Sequence, residues 1–257
     1  MAENRTKTAL VTGGSKGIGR GISIGLAKAG WNVWVNYNSD QTGAEETVAT
    51  IESLGQQGWA VQADVGFSDQ VERMFDQLKQ ATDTLDLLVN NAGVQTWSSL
   101  LDLKEDDFDR TIRTNLKGCF LCTQKAAQMM KGNAESSSII NIGSGANKTP
   151  FPNLVDYSAS KGGIEQLTQV AAVELGKYGI RVNCVAPGAI EIERTKLESD
   201  DYAGTWGPIT PMRRIGNVQD VASAVVFLAE PATYFITGQT VYVDGGLFSQ
   251  GPWPYRD

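Results

Sequence analysis

Residues 8–19 read TALVTGGSKGIG, a short apolar run followed by a glycine-rich turn and the start of a helix-compatible segment. The apolar run predicts a strand covered on both faces. Glycine suits the turn because the backbone bends sharply there and can approach a phosphate without a Cβ atom in the way. A helix that begins at the turn offers amide hydrogens and a partial positive charge to that phosphate. The stretch predicts a dinucleotide-binding unit, whose candidate contact residues are Gly13, Ser15, Lys16, Gly17, Ile18 and Gly19.

The rest of the chain continues this alternation of short apolar runs with longer amphipathic stretches. Strands are predicted at residues 8–12, 32–36, 59–62, 85–90, 138–142, 181–186 and 239–243. Helices are predicted at residues 44–54, 68–80, 105–131, 158–177 and 218–230. No linker-like change in composition and no internal repeat interrupts the pattern. We expect an α/β fold with a single domain over residues 1–257: a Rossmann-type, doubly wound parallel sheet in a three-layer α/β/α sandwich.

The composition is that of an ordinary globular protein, and it excludes several kinds of catalyst. Hydrophobic residues make up 41% of the 257 residues, and the net charge of -7 disfavours nonspecific binding to nucleic acid or an anionic membrane. The sequence contains no histidine, which excludes Ser-His-Asp and Cys-His nucleophilic machinery and every histidine-containing metal site. Acid–base chemistry therefore has to use Tyr, Lys, Asp, Glu or water, and no metal site is predicted.

The sequence shows neither a signal peptide pattern nor a membrane span. Its first residues are polar, and no segment approaches about 18 consecutive apolar residues. Cys119 and Cys122 form a Cys-x-x-Cys in a helix-compatible stretch with no second pair nearby. We interpret the three cysteines as buried thiols and expect a cytoplasmic protein.

The end of the second strand bears on the choice of cofactor. In NAD enzymes an acidic residue there binds both hydroxyls of the adenine ribose, and it would repel a 2′-phosphate. Here Tyr37 stands at the expected place of the acid, followed by Asn38 and Ser39. A 2′-phosphate would meet no carboxylate at this point, and Lys16, Asn38 and Ser39 could hold it. The sequence favours NADP(H) over NAD(H), while dual use and a merely solvated Lys16 stay open.

Further motifs follow the glycine-rich turn. They are Asp64-Val65, Asn90-Asn91-Ala92-Gly93, Asn115 in Thr-Asn-Leu-Lys-Gly, Ser144 in Asn-Ile-Gly-Ser, Tyr157-x-x-x-Lys161, Pro187-Gly188 and Val243-Asp244-Gly245-Gly246. In this order, over residues 8 to 246, the chain resembles the classical short-chain dehydrogenase/reductase family. The resemblance implies a nicotinamide-dependent oxidoreductase that interconverts a secondary alcohol and a carbonyl. It assigns cofactor contacts to Asp64, Val65, Asn91, Ala92, Gly93, Tyr157, Lys161, Pro187, Gly188 and Ile190.

Tyr157 and Lys161 are the candidate proton-handling pair. An alcohol that gives up a hydride leaves a proton to be removed, and an unperturbed tyrosine, with a pKa of about 10, is a poor base at neutral pH. The four-residue spacing places Lys161 on the same helical face, where its charge would favour tyrosinate. Ser144 can donate a hydrogen bond to the carbonyl oxygen. By resemblance, Lys161 also binds the nicotinamide ribose, and Asn115 bends its helix and holds a water that links Lys161 to solvent.

Structural alternatives accompany several of these residues. Ser144 could cap the loop after its strand, Asn115 could be a hydrogen-bonded helix amide, and Asp64 could cap the following helix. One departure from the family pattern affects the nicotinamide, because Ile192 stands where many members carry a Thr after Pro-Gly. Thr195 takes that role if the loop is longer, or the backbone of Ile190 serves instead.

Three segments are predicted to set the substrate: residues 94–98, 145–156 and 191–211. The second contains a Lys-x-Pro-aromatic-Pro pattern that resembles bacterial glucose 1-dehydrogenases, and the third carries many charges beside Trp206. A sugar or polyol is therefore the first hypothesis, although charged lids are usually just solvated. The alternatives are a 3-oxoacyl-(acyl-carrier-protein) reductase and a general ketone or aldehyde reductase. A dinucleotide-sensing binding protein without catalysis is disfavoured, because such proteins typically lack the Tyr or the Lys.

The resemblance also implies a homotetramer with D2 symmetry. The predicted helices 105–131 and 158–177 would pack against a second subunit, and the C-terminal region would form another interface. The tail, Phe248 to Asp257, carries Trp253 and Tyr255 between prolines, which suggests docking on a neighbouring subunit. The expected partners are a small carbonyl or alcohol compound and further copies of the chain, not nucleic acid or a membrane.

Overall fold

A computed structural model describes residues 5–82, 84–132, 137–195 and 199–251. Within them, seven strands form one parallel sheet in the order β3-β2-β1-β4-β5-β6-β7. The strands are β1 Thr8–Val11, β2 Asn32–Tyr37, β3 Gly58–Gln62, β4 Leu87–Asn90, β5 Ser138–Ile142, β6 Arg181–Pro187 and β7 Thr240–Val243. The predicted sheet is confirmed, because each predicted strand overlaps an observed one.

Helices cover both faces of this sheet and complete the three layers that the sequence predicted. They are α1 Gly17–Lys28, α2 Gln41–Ser53, α3 Ser68–Ala81, α4 Glu105–Thr111, α5 Gly118–Met130, α6 Val155–Leu175, α7 Tyr202–Trp206 and α8 Val218–Ala229. Successive strand residues point to opposite faces, so Val11 packs in the cluster beneath α1, α2 and α8, while Leu10 packs beneath α3, α5 and α6. Fully buried strand residues explain the continuous apolar runs in the sequence.

Glycine brings two helices close together on the first face. A Cβ atom at Gly21 of α1 would lie 2.6 Å from the Cβ of Val218, and one at Gly25 would lie 3.0 Å from the Cβ of Ala222. Both neighbours belong to α8, so these glycines allow α8 to pack directly on α1. This packing holds the glycine-rich turn and the segment before α8 on the same side of the sheet.

The predicted helix 105–131 is interrupted in the structure. Between α4 and α5, residues Ile112–Lys117 form a π-helical segment, in which the backbone hydrogen bonds span five residues instead of four. Asn115 lies inside this segment and is 1% exposed. Such π-bulges are frequent at functional sites, and this one lies beside the polar residues described next.

The order of the strands reverses between β1 and β4. On one side of this point lie β2 and β3, next to β1; on the other side lie β5, β6 and β7, next to β4. In an open parallel sheet, ligands bind in the crevice at the carboxyl ends of the strands where the order reverses. The motifs that follow β1, β4 and β5 meet at this crevice.

Candidate active site

The glycine-rich turn after β1 is shaped by two positive backbone angles and one close approach. Gly13 has φ of 62° and Gly17 has φ of 53°, a region that side chains with a Cβ atom rarely adopt. A Cβ atom at Gly19 would collide with the carbonyl oxygen of Gly13. The sequence prediction of a tight turn that leads directly into α1 is confirmed.

Two asparagines, the buried Asn36 and the partly buried Asn91, connect this turn to the sheet. The Asn36 side chain accepts a hydrogen bond from the Gly13 amide at 3.2 Å and donates to the Ala63 carbonyl at 3.0 Å. The Asn91 side chain donates to the carbonyls of Thr12 and Gly13, at 2.9 and 3.1 Å. The turn is therefore held by β2, β3 and the end of β4 at once.

The first turn of α1 fits a bound phosphate. Lys16 precedes the helix with an extended backbone and caps none of its amides with its side chain, which is exposed. Gly17, Ile18 and Gly19 are the first three residues of α1, so their amides are among the donors that lack a partner within the helix. These amides could donate to a phosphate group of a bound ligand.

The residues that bear on cofactor choice occupy different environments at the end of β2. Tyr37 is 9% exposed and packs in the hydrophobic cluster beneath α1 and α2, whereas Asn38 and Ser39 are exposed. Tyr37 is thus mostly a core residue. Asn38, Ser39 and Lys16 present polar groups to solvent at this end of the sheet.

Asp64 and Val65 follow β3, and their local roles differ. The Asp64 carboxylate accepts the Gly66 amide at 2.9 Å and so closes a turn, instead of capping α3 as one sequence alternative had it. Val65 is buried and contacts the position of Gly118 at the start of α5. The cap of α3 is Phe67, which provides no side-chain hydrogen bond.

Lys161 and Tyr157 lie together on α6, below the end of β5. The Lys161 side chain is 4% exposed, its Nζ atom donates to the Ile142 carbonyl at 2.6 Å, and it lies 5.5 Å from the centre of the Tyr157 ring. Tyr157 is half-buried. The hydrogen bond to Ile142 therefore holds the Lys161 Nζ atom close to the tyrosine ring.

Ser144 stands at the end of β5, two residues beyond the carbonyl that Lys161 contacts. Its Oγ atom accepts the Ala146 amide at 3.2 Å, so the predicted loop-capping contact is present. Because a hydroxyl also donates, this contact leaves the hydroxyl proton available for a carbonyl oxygen. The capping and catalytic interpretations of Ser144 are therefore compatible.

Asn115 is fully engaged by protein groups. Its Nδ2 atom donates to the Val94 carbonyl at 2.8 Å and to Ser160 Oγ at 3.0 Å, and its Oδ1 atom accepts the Val94 amide at 2.8 Å. Ser160 in turn donates to the Tyr157 carbonyl at 2.7 Å. The side chain thus connects the loop after β4 to the helix that carries Tyr157 and Lys161.

An aromatic cluster lies beside the end of β5. The Phe151 ring makes edge-to-face contacts with Trp206, at 6.1 Å between ring centres, and with Phe248, at 5.8 Å. Tyr202 lies 6.3 Å from Trp206. A Cβ atom at Gly145 would overlap the ring of Phe248, so this ring rests directly on the residue after Ser144. We call Phe151, Trp206 and Phe248 the aromatic wall.

Comparison with known proteins agrees with this geometry. Residues 13–248 match a family described as enoyl-(acyl carrier protein) reductase. The chain is 42% identical to the 3-oxoacyl-(acyl-carrier-protein) reductase FabG of Staphylococcus aureus over 244 residues, which cover 95% of this chain and 98% of that protein. It is 37% identical to 3beta-hydroxysteroid dehydrogenase 1 of Eggerthella lenta, over 94% of this chain and 93% of that one.

A solved structure extends the likeness to three dimensions. The acetoin dehydrogenase of Enterobacter cloacae superimposes with a TM-score of 0.90 at 33% identity, over 99% of this chain and 100% of that one. The chain belongs to the short-chain dehydrogenase/reductase family. It is accordingly an oxidoreductase that acts on CH–OH groups, and its family binds NAD(P).

In this family member, the segment after Pro187-Gly188 has its own arrangement. Ile190 is 4% exposed and pairs with Gly216 in an isolated parallel bridge. Thr195 is 4% exposed, and its hydroxyl donates to the Ile192 carbonyl at 2.8 Å. Thr195 thus closes a turn on Ile192, whose side chain lies near Gly17.

The first residues of the tail contact residues of their own chain. Phe248 packs on Gly145 of its own chain, and Gln250 donates to the Ile209 carbonyl at 2.7 Å. The Asp244 side chain accepts the amides of Gly246 and Phe248, at 2.8 and 2.9 Å, and so turns the chain towards the site. Trp253 and Tyr255 lie outside the described residues.

Sequence reasoning missed several residues that build the site. Asp156, directly before Tyr157, is 0% exposed and bonded to Thr111. Thr12 accepts the amides of Asn91 and Ala92, at 2.9 and 3.0 Å, and so joins the ends of β1 and β4. The position of Asp156 next to Tyr157 was the available signal, but an acid early in a helix is ordinarily explained by the helix dipole alone.

The three cysteines are free and buried, as interpreted from the sequence. Burial raises the pKa of the Cys119 thiol to about 12 and that of the Cys184 thiol to about 11, and burial also raises the pKa of Cys122. These thiols are therefore protonated at neutral pH and cannot act as nucleophiles. In the described part of the chain, no cluster of potential metal ligands occurs and no helix could cross a bilayer.

Proposed function

We propose that this enzyme interconverts a secondary alcohol and a carbonyl with NADP(H) in preference to NAD(H), using Tyr157 as the acid and base. The observation that carries the proposal is the buried Lys161 ammonium beside the Tyr157 ring, with Ser144 and Asn115 on the neighbouring elements. The family indicates the reaction class, and these contacts suggest what each side chain does in the reaction.

The residues at the crevice fit a dinucleotide. The Gly13–Gly19 turn would hold the pyrophosphate with the first amides of α1, and Asp64, Val65, Asn91, Ala92 and Gly93 would contact the rest of the dinucleotide. Pro187, Gly188 and Ile190 would lie at the nicotinamide end with Lys161. When bound, the nicotinamide accepts or donates the hydride; the protein has to orient the two partners and handle the proton.

Proton handling falls to Tyr157. In the oxidation direction its phenolic oxygen removes the hydroxyl proton of the alcohol, and in reduction it returns a proton to the carbonyl oxygen. Lys161 lies beside the Tyr157 ring, and Ser144 donates a hydrogen bond to the same substrate oxygen as charge develops there. Asn115 keeps α6 fixed against the loop after β4, through Ser160 and Val94.

The cofactor preference rests on the absence of a carboxylate at the end of β2. Tyr37 occupies the place where NAD enzymes carry an acid, and it is mostly buried. Lys16, Asn38 and Ser39 are exposed around this point and supply one positive charge with several hydrogen-bond groups. A 2′-phosphate is favoured by such a set, because charge-assisted hydrogen bonds to phosphate are the strong ones.

For the substrate we propose a compact polyhydroxylated compound, a sugar or a polyol. The aromatic wall supports this proposal, because a flat ring can cover the face of C–H bonds that a sugar presents. The charged residues of segment 191–211, such as Glu191 and Glu193, are exposed, and we assign them no direct contact with the substrate. The second candidate substrate is the phosphopantetheine thioester of an acyl carrier protein, because the chain is 42% identical to the 3-oxoacyl-(acyl-carrier-protein) reductase FabG.

One exposed position counts against the acyl-carrier candidate. Val173 on α6 is 81% exposed, and carrier reductases tend to have arginine there. An acidic carrier protein needs a basic docking surface, whereas this surface is apolar. A sensing protein without catalysis is a weaker candidate, because Tyr157 and Lys161 are both present and in contact distance of each other.

A spectrophotometric screen at about 340 nm tests the function. Purified enzyme is offered sugars, polyols, simple ketones and 3-oxoacyl thioesters with both cofactors, and Tyr157→Phe is measured beside wild type. We expect turnover of a sugar or polyol with NADP(H) and loss of at least about a thousandfold in Tyr157→Phe, with nearly unchanged cofactor affinity. Turnover confined to acyl thioesters would assign the enzyme to the second candidate. Tight cofactor binding without turnover of any compound would favour a sensor.

We further propose a cytoplasmic homotetramer in which residues 1–257 form a single domain. An apolar groove of about 440 Å³ runs between α5 and α6, and its rim includes Phe120 and Val170, which are 44% and 46% exposed. A second copy of the chain is the partner that such a helix face fits. Light scattering should give four chains of 27.7 kDa each, and a stable monomer would contradict this assembly.

A further inference from the structure

A fully buried carboxylate stands directly before the candidate catalytic tyrosine. Asp156 is 0% exposed. Its Oδ1 atom accepts the amide of Tyr157 at 2.7 Å, and its Oδ2 atom accepts the hydroxyl of Thr111 at 2.6 Å. Burial of a carboxylate is costly unless hydrogen bonds compensate for the lost water, so its presence here calls for a role.

The carboxylate replaces the missing cap of α6. The residue before this helix is Leu154, which has no side-chain oxygen to accept the first amides. The Tyr157 amide belongs to the first turn and has no partner within the helix. Asp156 supplies that partner from within the turn, where the partial positive charge of the helix end favours a negative group.

The second oxygen connects α6 to the segment that carries Asn115. Thr111 is the last residue of α4, and the π-helical segment Ile112–Lys117 begins directly after it. From Asn115 the contacts return to α6, because its Nδ2 atom donates to Ser160 and Ser160 donates to the Tyr157 carbonyl at 2.7 Å. The backbone of Tyr157 is thus held on both sides, at its amide and at its carbonyl, by side chains that connect to one helical segment.

We propose that Asp156 and Thr111 are positioning residues for Tyr157: their buried hydrogen bond fixes the start of α6 against the π-helical segment and so fixes the phenolic oxygen relative to Ser144 and the substrate. The inference rests on the proposed acid–base role of Tyr157. A displacement of about 1 Å at a reacting group costs up to about a hundredfold in rate, so the bond affects kcat more than binding.

Four variants test this role. Thr111→Val keeps the size of the side chain and removes the donor, and Thr111→Ser restores it. Asp156→Ala removes both contacts, whereas Asp156→Asn keeps both, since its oxygen accepts the Tyr157 amide and its NH₂ donates to Thr111. Thr168→Val is the matched control: Thr168 is also 0% exposed and bonded to a buried side chain, at 2.9 Å to Asn141, but it does not contact the Tyr157 backbone.

The measured quantities are kcat, KM for cofactor and substrate, and the melting temperature. We expect Thr111→Val and Asp156→Ala to lower kcat about ten- to a hundredfold, with cofactor KM within about twofold of wild type. Thr111→Ser and Asp156→Asn should recover kcat to within about threefold. Thr168→Val should lower the melting temperature as much as Thr111→Val does and leave kcat unchanged.

Two results would overturn the positioning role. One is a lower melting temperature with an unchanged kcat in Thr111→Val. The other is an equal loss of kcat in Asp156→Asn and Asp156→Ala. Tyr157→Phe, assayed in parallel, distinguishes a failure of this proposal from a failure of the proposed function on which it rests. If Tyr157→Phe turns over normally, the acid–base assignment fails; if it is inactive while Thr111→Val matches wild type, only the positioning role fails.

Discussion

The contact between Gly145 and Phe248 offers a sharp test of the aromatic wall. In Gly145→Ala the new methyl group would overlap the Phe248 ring. Nonbonded carbon atoms approach to about 3.5 Å, so the ring has to move by roughly 1.5 Å. Phe248 would then leave its edge-to-face contact with Phe151, and the wall would open on the side next to Ser144.

The expected loss follows from the contacts that are broken. An edge-to-face pair of this kind, with ring centres 5.8 Å apart, contributes about 0.5 to 1.5 kcal/mol beyond the area it buries. If the same contact shapes the substrate pocket, kcat/KM for the preferred compact substrate should fall about two- to twelvefold, since about 1.4 kcal/mol corresponds to a factor of ten. A smaller ketone that does not reach the wall should be turned over at the wild-type rate.

Steady-state kinetics at about 340 nm on Gly145→Ala, Phe248→Ala and the double variant provide the measurement. Both changes act through one contact, so Gly145→Ala should cost less than about twofold in the Phe248→Ala background. Gly176→Ala is the control, because a Cβ atom there meets no atom within 4 Å. An equal loss in both backgrounds, or a loss with the small ketone, would refute the reasoning and point to displacement of Ser144 instead.

Three further predictions follow from the described contacts. Lys16→Ala should raise KM for NADP about tenfold and leave KM for NAD within about twofold, as measured at fixed substrate; equal changes would remove Lys16 from the phosphate site. The three cysteines should react with a thiol reagent at pH 8 only after unfolding, and rapid labelling of native enzyme would contradict their burial. The hydrogen bond from Arg214, 2.7 Å long, lowers the pKa of Asp220. The stability that Asp220 contributes is therefore fully present above about pH 4, and it is lost as the pH falls through the lowered pKa. Asp220→Asn should therefore lower the unfolding free energy by up to about 1 kcal/mol at pH 7, the difference from wild type should shrink in acid, and a difference independent of pH would refute the assignment.

The sheet could be predicted from the sequence because its signals are local. Strands buried on both faces, such as Ser138–Ile142, are mostly apolar, and this one was predicted with the observed bounds. The turn at residues 13–19 was equally readable, since only glycine tolerates its backbone angles. The reaction class came from the order of motifs, which the comparisons confirm.

Contacts between distant residues could not be predicted in this way. The link from Asp156 to Thr111 spans 45 residues and depends on how α4 and α6 pack. Tyr37 was placed correctly along β2, but the burial of its ring depends on α1 and α2. The contact of Phe248 with Gly145 was not predicted, because no local pattern shows that Asp244 turns the chain back towards Gly145.

The hydrogen bonds of Asn36 make the glycine-rich turn part of the ordered core of the sheet. Asn36 is 1% exposed, and its side chain bonds to Gly13 while its carbonyl accepts the Gly14 amide at 2.8 Å. Loops that carry function usually open far more easily than the core. Here the Gly13 and Gly14 amides should exchange with deuterium only as the sheet itself unfolds, even without nucleotide. A cofactor would then enter a site whose backbone is already ordered, and it could leave after each turnover without a rearrangement of the turn.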